Sequence, residues 1–296
     1  MTADPAPYGA AAPGGAGMLR AALVQLNVSD DPAVNLPVTV GYLRDAAAQG
    51  ATFITTPEAT NLLSPSRDWQ RQVLHNQDDD PTLAALRDEA ARAGVWLLIG
   101  SLALRAEDGE RFVNRSFLIA PDGTIAAQYD KIHMFDVTLS DNESYRESAA
   151  YRPGARAVIA AGPVPVGMTI CYDLRFGHLH RRLAKGGASV LTVPSAFSPT
   201  TGAAHWHVLL RARAIETGCF VLAPAQCGLH PAPNAGGKPP RRSYGHSLAV
   251  DPWGAVLADA GPERRGVTIV DLDLTAIDKA RSRVPSLTHD RDFDGP

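Results

Sequence analysis

Glu58, Lys131 and Cys171 each stand at the end of an apolar run that reads as a β-strand. Glu58 follows Phe53-Ile54-Thr55-Thr56-Pro57, Lys131 follows residues 125–130, and Cys171 follows Val164-Pro165-Val166-Gly167-Met168-Thr169-Ile170. Binding crevices in α/β sheets open where the carboxyl ends of strands meet, so these three side chains are placed to converge. Together they offer a thiol that attacks, a carboxylate that takes its proton, and an ammonium that steadies negative charge. The segment after the third strand, Cys171-Tyr172-Asp173-Leu174-Arg175-Phe176, reads as the opening of a helix. Its unpaired N–H groups and positive dipole end would favour a thiolate and a nearby oxyanion. Taken singly, each residue has another reading: Glu58 as a loop or cap charge, Lys131 as a surface lysine, Cys171 as a small buried hydrophobe.

The elements that must position these groups alternate along the chain. Strands are predicted at 21–28, 52–56, 95–104 and 111–120, with a hairpin over 117–129 turned by Pro121-Asp122-Gly123. Between them, Asp30 or Asp31 caps a helix whose Leu36, Val40, Leu43 and Ala47 share a face, and Asp80-Pro81 opens a second helix ending near Gly94. The second half repeats the theme with strands at 164–170, 188–193, 219–224, 247–250 and 266–272, and helices at 178–185 and 203–217. The pattern is α/β, either two packed sheets or one large mixed sheet between helical layers. Residues 1–18, rich in Ala, Gly and Pro, read as a flexible leader, with Met18 as a possible start. Residues 19–296 read as a single domain, in which the Pro/Gly patch 231–240 is a surface loop.

A chain of 296 residues with 45% hydrophobic and 20% charged content buries a large core unaided. Its net charge of -3 is interspersed, with no basic block, which speaks against nucleic acid and anionic membranes as partners. No apolar stretch approaches the ~18 residues of a membrane span. Three cysteines, at 171, 219 and 227, match neither a disulfide framework nor a paired-cysteine metal site, so a reducing, cytoplasmic setting is expected.

The three segments Thr56-Pro57-Glu58, Tyr129 to Asp136, and Cys171 to Phe176 resemble, in order, the signature segments of the nitrilase superfamily of carbon-nitrogen hydrolases. Downstream, Pro194-Ser195-Ala196-Phe197, His205-Trp206, Arg211 to Glu216, Tyr244-Gly245-His246-Ser247 and Asp251-Pro252-Trp253-Gly254 are similar to its amidase branch. Ala225-Gln226-Cys227-Gly228 looks most like the deaminated-glutathione amidases. The resemblance implies a four-layer α-β-β-α sandwich, a Glu58-Lys131-Cys171 triad with no metal and no cofactor, and a homodimer or higher homo-oligomer. It further implies hydrolysis of a small linear amide bearing a carboxylate or 2-oxo acid, through a cysteine thioester with release of ammonia. Deaminated glutathione is the expected substrate. The same resemblance leaves open an ω-amidase, an N-carbamoyl amidase, or a weakly active scaffold.

Within it, Glu58 serves as general base, while Lys131 and the Tyr172 N–H hold the oxyanion. Glu147 is expected beside the lysine, positioning substrate, its alternative being a solvated loop acid. Arg175 is a candidate clamp for a substrate carboxylate, or else an ion-pair partner of Asp173. Phe197 and Thr200 are candidate pocket walls. His205 is expected to be a satisfied buried polar group, and Cys219 and Cys227 packing residues. His205 and His207, two apart on a helix, point to different faces and so do not suggest a metal pair. Two departures from the branch pattern stand out: Gly177-His178 in place of Pro-Glu, and His207 in place of Glu.

Overall fold

The computed structural model describes residues 17–107, 109–141 and 143–295. The leader reading falls on residues 1–16, outside the described residues, apart from Gly17 and Met18, and Met18 already belongs to a strand. In chain order the first half comprises β1 (Met18–Gln25), α1 (Pro32–Ala48), β2 (Phe53–Thr55), α2 (Arg67–Val73), α3 (Pro81–Ala93), β3 (Trp96–Arg105), β4 (Phe112–Ile119) and β5 (Ile125–Asp130). A hairpin of β6 (Asp136–Ser140) and β7 (Glu143–Arg146) follows. The second half comprises β8 (Val158–Ala161), β9 (Pro165–Met168), a 3-10 turn at Cys171–Arg175, α4 (Gly177–Lys185), β10 (Val190–Thr192) and α5 (Pro199–Thr217). It closes with β11 (Phe220–Ala223), β12 (Cys227–Leu229), β13 (Arg242–Tyr244), β14 (Leu248–Val250), β15 (Val256–Asp259), β16 (Gly266–Asp273) and α6 (Thr275–Arg283).

Two six-stranded sheets result, in the orders β16-β1-β2-β3-β4-β5 and β15-β14-β11-β10-β9-β8. Each is parallel at its centre, because α1 and α3, or α4 and α5, carry the chain back between consecutive strands. The two-residue period of a strand then assigns every side chain to a layer. Along β1, Leu19, Ala21 and Leu23 pack toward Val166, Met168 and Leu191 of the second sheet. Ala22 and Val24 point the other way, toward Leu43 of α1 and Leu86 and Ala90 of α3. On the far side, Leu183 of α4 and Trp206 and Leu210 of α5 cover the second sheet. The layers are therefore α-β-β-α.

Local chemistry sets the ends of the helices. Asp31, not Asp30, caps α1 by accepting from the Ala33 N–H, while the Asp30 carboxylate accepts from the Asn234 N–H across the fold. Asp80 caps α3 through the Leu83 N–H, and Gly94 ends it in the left-handed conformation. The first strand starts three residues earlier than its apolar run suggests, since pairing with β16 runs from Met18 opposite Asp273. Likewise α5 begins at Pro199, whose ring fits a first helical position.

The core encloses His180 and His230, and burial holds both imidazoles neutral down to about 4. In the unfolded chain they take up protons near pH 6.5, so below that pH the unfolded state binds protons that the folded state refuses. Stability is complete above pH 6.5 and is lost as pH falls toward 4, by up to about 3 kcal/mol per imidazole. Urea unfolding between pH 7.5 and 4.5 should show this decline, which His230→Gln should lessen. A stability that stays level through the window would contradict it.

Candidate active site

Glu58 and Lys131 leave the first sheet at the same edge, because β5 runs parallel to β2 across the intervening β3 and β4. Cys171 follows β9 of the second sheet and meets them between the layers, where all three line one cavity and the thiol lies within the field of the Glu58 carboxylate. The approach depends on Gly100, at the irregular part of β3. A Cβ there would lie 1.9 Å from the Thr56 carbonyl oxygen and 2.5 Å from that of Pro57, the two residues that lead into Glu58. Cys171 itself has φ +49, an unfavourable angle for a non-glycine residue. Its N–H is tied to the Pro194 carbonyl at 2.9 Å. The strained turn lifts the side chain out of the strand line and toward the first sheet.

Every acceptor on Glu58 is engaged. Oε1 accepts from Lys131 Nζ at 2.9 Å and from Asn114 Nδ2 at 2.9 Å, and Oε2 accepts from the Ala196 N–H at 2.9 Å. Gln226 Nε2 donates to the Glu58 carbonyl at 3.0 Å, fixing the backbone beneath it. Lys131 Nζ also reaches both oxygens of Glu147, at 2.9 and 3.1 Å, and Glu147 is held in turn by the Phe135 N–H at 2.6 Å. Lys131 is only 2% exposed, so its charge is shared between two carboxylates in a dry setting.

That setting fixes the protonation states. Burial alone would push Lys131 down, but Glu147 and Glu58 outweigh it and hold the ammonium well above its ordinary range. Burial would raise Glu58, but the charges of Lys131 and Arg241 bring its carboxyl down. The pull of a helix start toward a thiolate is outweighed here, and the thiol needs its general base. Burial, then the Glu58 charge, raise the Cys171 thiol far more than Lys131 lowers it. The short 3-10 turn does not reverse that balance. The resting state is a neutral thiol beside a carboxylate.

A cavity of about 210 Å³ opens onto this cluster, lined by Glu58, Asn114, Lys131, Glu147, Cys171, Tyr172 and Phe197 among others. Tyr172 sits second in the 3-10 turn, where N–H groups have no partner within the turn. Arg175 and Thr200 are not part of the lining. The Arg175 guanidinium lies over the Tyr172 and Phe197 rings and 3.3 Å from His205 Nδ1, and the exposed Thr200 donates to Glu143. Nor does Arg175 pair with Asp173. That buried carboxylate instead accepts from Tyr129 Oη at 2.7 Å and from the N–H groups of Ile170 and His133, clamping the turn that carries Cys171. His205 is exposed, unlike the buried group expected, whereas Cys219 and Cys227 are buried as packing residues should be. Gly177 and His178 lie outside the cavity lining.

Sequence reasoning missed three contributors. Asn114 interrupts the apolar strand β4 and bridges Glu58 and Glu147. Gln70, on the unforeseen helix α2, and Arg241, just past the Pro/Gly patch, both line the cavity. Each carries a buried polar atom with no protein partner, namely Asn114 Oδ1, Gln70 Oε1 and Arg241 Nε. Arg67 and Arg146 add two further cations to the lining.

The carbon-nitrogen hydrolase family model matches residues 20–282, nearly the whole of this architecture. The chain belongs to the carbon-nitrogen hydrolase family. This hydrolase is 37% identical to a deaminated glutathione amidase from Yersinia enterocolitica, over 91% of this chain and 92% of the relative. Its fold matches the C. elegans NitFhit protein with a TM-score of 0.83 and 32% identity, over 93% of this chain and 65% of that longer one. A variant of the Nesterenkonia sp. AN1 amidase, in which acrylamide has added at the active-site cysteine, matches with a TM-score of 0.70 and 26% identity. The match covers 90% of this chain and 98% of that one. The enzyme is a hydrolase of the amidase kind within the nitrilase superfamily, with the sandwich fold that membership implies. No described helix is long and apolar enough to cross a membrane.

Proposed function

We propose that Cys171 attacks the carbonyl carbon of a small linear amide while Glu58 takes the thiol proton. The observation that carries this reading is the buried thiol sharing one cavity with a carboxylate that Lys131 and Asn114 hold in place. A raised thiol beside a lowered carboxyl does not give up its proton spontaneously, so transfer accompanies formation of the carbon-sulfur bond. The oxyanion is received by Lys131 and the Tyr172 N–H. Glu147 keeps Nζ through one oxygen while another ammonium proton turns to substrate, a donor worth about 3 kcal/mol of barrier. Glu58 returns its proton to the leaving nitrogen as the carbon-nitrogen bond breaks, leaving a thioester. It then deprotonates the water that releases the acid and the free thiol.

The substrate reading is deaminated glutathione, in line with the relatives that carry that name. Its scissile amide is secondary, so the leaving group is a dipeptide amine and not the ammonia expected from sequence. Ammonia would leave only from primary amides. Such a substrate carries two carboxylates, and Arg67, Arg146 and Arg241 supply cations in the cavity wall. Arg241 is the proposed clamp in place of Arg175: its Nε lacks a protein partner, and its Nη2 already holds the Ala196 carbonyl beside Glu58. The Gln70 and Asn114 carbonyl oxygens would accept from substrate N–H groups.

Arg241→Ala should raise KM for a carboxylate-bearing amide about 10- to 100-fold, the worth of one charge-assisted hydrogen bond. An uncharged amide of the same length should lose far less kcat/KM. Equal losses for both substrates would contradict the clamp. The same reading takes residues 19–296 as one cytoplasmic domain working as a homodimer or larger assembly. Val208, Ile215 and Trp253 support that assembly, forming exposed apolar surface along α5 and the turn packed on it.

A further inference from the structure

We propose that His207, His246 and Asp259 form a binding site for a divalent transition-metal ion, zinc being the best match, outside the catalytic cavity. The three residues come from separate elements: α5, the turn between β13 and β14, and the end of β15. His207 Nε2 lies 2.9 Å from Asp259 Oδ2, while His246 Nδ1 lies 2.9 Å from Oδ1 and 3.1 Å from Oδ2. One donor atom from each residue falls within 4.8 Å of the other two. Zinc bonds of about 2.0–2.2 Å space tetrahedral donors roughly 3.4 Å apart, and both imidazoles already lie near that spacing from the shared carboxylate.

The donors are held by groups that a metal would not need. Trp206 Nε1 donates to the His246 carbonyl at 2.8 Å, and the His246 N–H donates to the Gly261 carbonyl at 2.8 Å. The Gly261 N–H donates to Asp259 Oδ1 at 2.8 Å, orienting the carboxylate, and the Tyr244 ring stacks on His246 at 4.6 Å. Such outer contacts fix ring and carboxylate direction around metals. Two imidazoles and one carboxylate suit zinc, cobalt, nickel or copper, whereas magnesium and calcium prefer all-oxygen shells. The side chains are between a fifth and a third exposed, which gives the ion a path in and lets water complete the shell. A bound ion would clasp α5 to the β14-β15 hairpin.

The test is equilibrium dialysis of tag-free, chelator-treated protein against zinc, with elemental analysis, thermal melting, and the visible spectrum of a cobalt-loaded sample. Wild type and Cys171→Ala should each take up one ion per chain, with a higher Tm and the intense bands of low-coordinate cobalt. His207→Ala and His246→Gln should each bind at least about tenfold more weakly and lose the Tm rise. Asp259→Asn, which keeps the shape of the side chain, should do the same, and amide turnover in these three metal-site variants reports that the fold is intact. Uptake equal in wild type and the His207→Ala/Asp259→Asn double variant would overturn the proposal. So would uptake that disappears with Cys171→Ala and survives His207→Ala, since the ion would then sit on the catalytic thiol.

Discussion

Cys171→Ala is expected to fold normally and to show no turnover above background, a loss on the order of a million-fold in kcat for removal of a triad nucleophile. The reasoning is positional. Cys219 and Cys227 are buried away from the cavity, and its lining places no other thiol beside Glu58 and Lys131. Alanine suits the φ of +49 no worse than cysteine does, so the turn should survive. The assay must detect a primary amine as well as ammonia, because a secondary amide releases no ammonia. Thermal melting checks the fold, and wild-type turnover from this variant would sink the mechanism.

The second large effect is Glu58→Gln, which should lower kcat about 10²- to 10⁴-fold by removing the general base. It should at the same time make the thiol easier to ionise. Burial raises Cys171 first and the Glu58 charge second, while Lys131 opposes both. Without the carboxylate charge, one raising influence goes and the lysine remains. The pH profile of Cys171 alkylation by iodoacetamide should therefore move to lower pH as turnover collapses. A purely structural role for Glu58 would not produce these opposite movements. An unchanged profile or one displaced to higher pH would contradict the charge balance described here.

The meeting of Glu58, Lys131 and Cys171 was legible because each ends an apolar strand, where the type of residue and its place agree. The α/β pattern followed from alternating strands and helices, whereas the four-layer sandwich came only from the family resemblance, because periodicity left one sheet or two undecided. The structure settles that, because Leu19, Ala21 and Leu23 of β1 pack on a second sheet while Ala22 and Val24 pack on helices. Helix α2 and the β6-β7 hairpin were missed because each is short and offers few apolar residues, Trp69 and Val73 in the first and Val137 and Leu139 in the second. Arg175 misled because two residues of sequence separation suggested a pair with Asp173. The 3-10 turn instead directs that carboxylate inward to Tyr129 and Ile170. Arg241 and Gln70 had no local signal, since their meaning comes only from the cavity they share with residues far away in sequence. The strength of the upward push on the thiol was hidden for a similar reason: the sequence shows a helix start but not the depth of burial.

The thioester is the centre of the account, and hydroxylamine intercepts it most directly. Added during turnover of a carboxylate-bearing amide, it should divert part of the product from acid to hydroxamate. Acid-quenched samples should carry the acyl mass on the peptide containing Cys171 and on no other. Release of acid alone, with no hydroxamate and no acylated Cys171 at any quench time, would mean that water attacks the amide directly and that Cys171 is not the nucleophile.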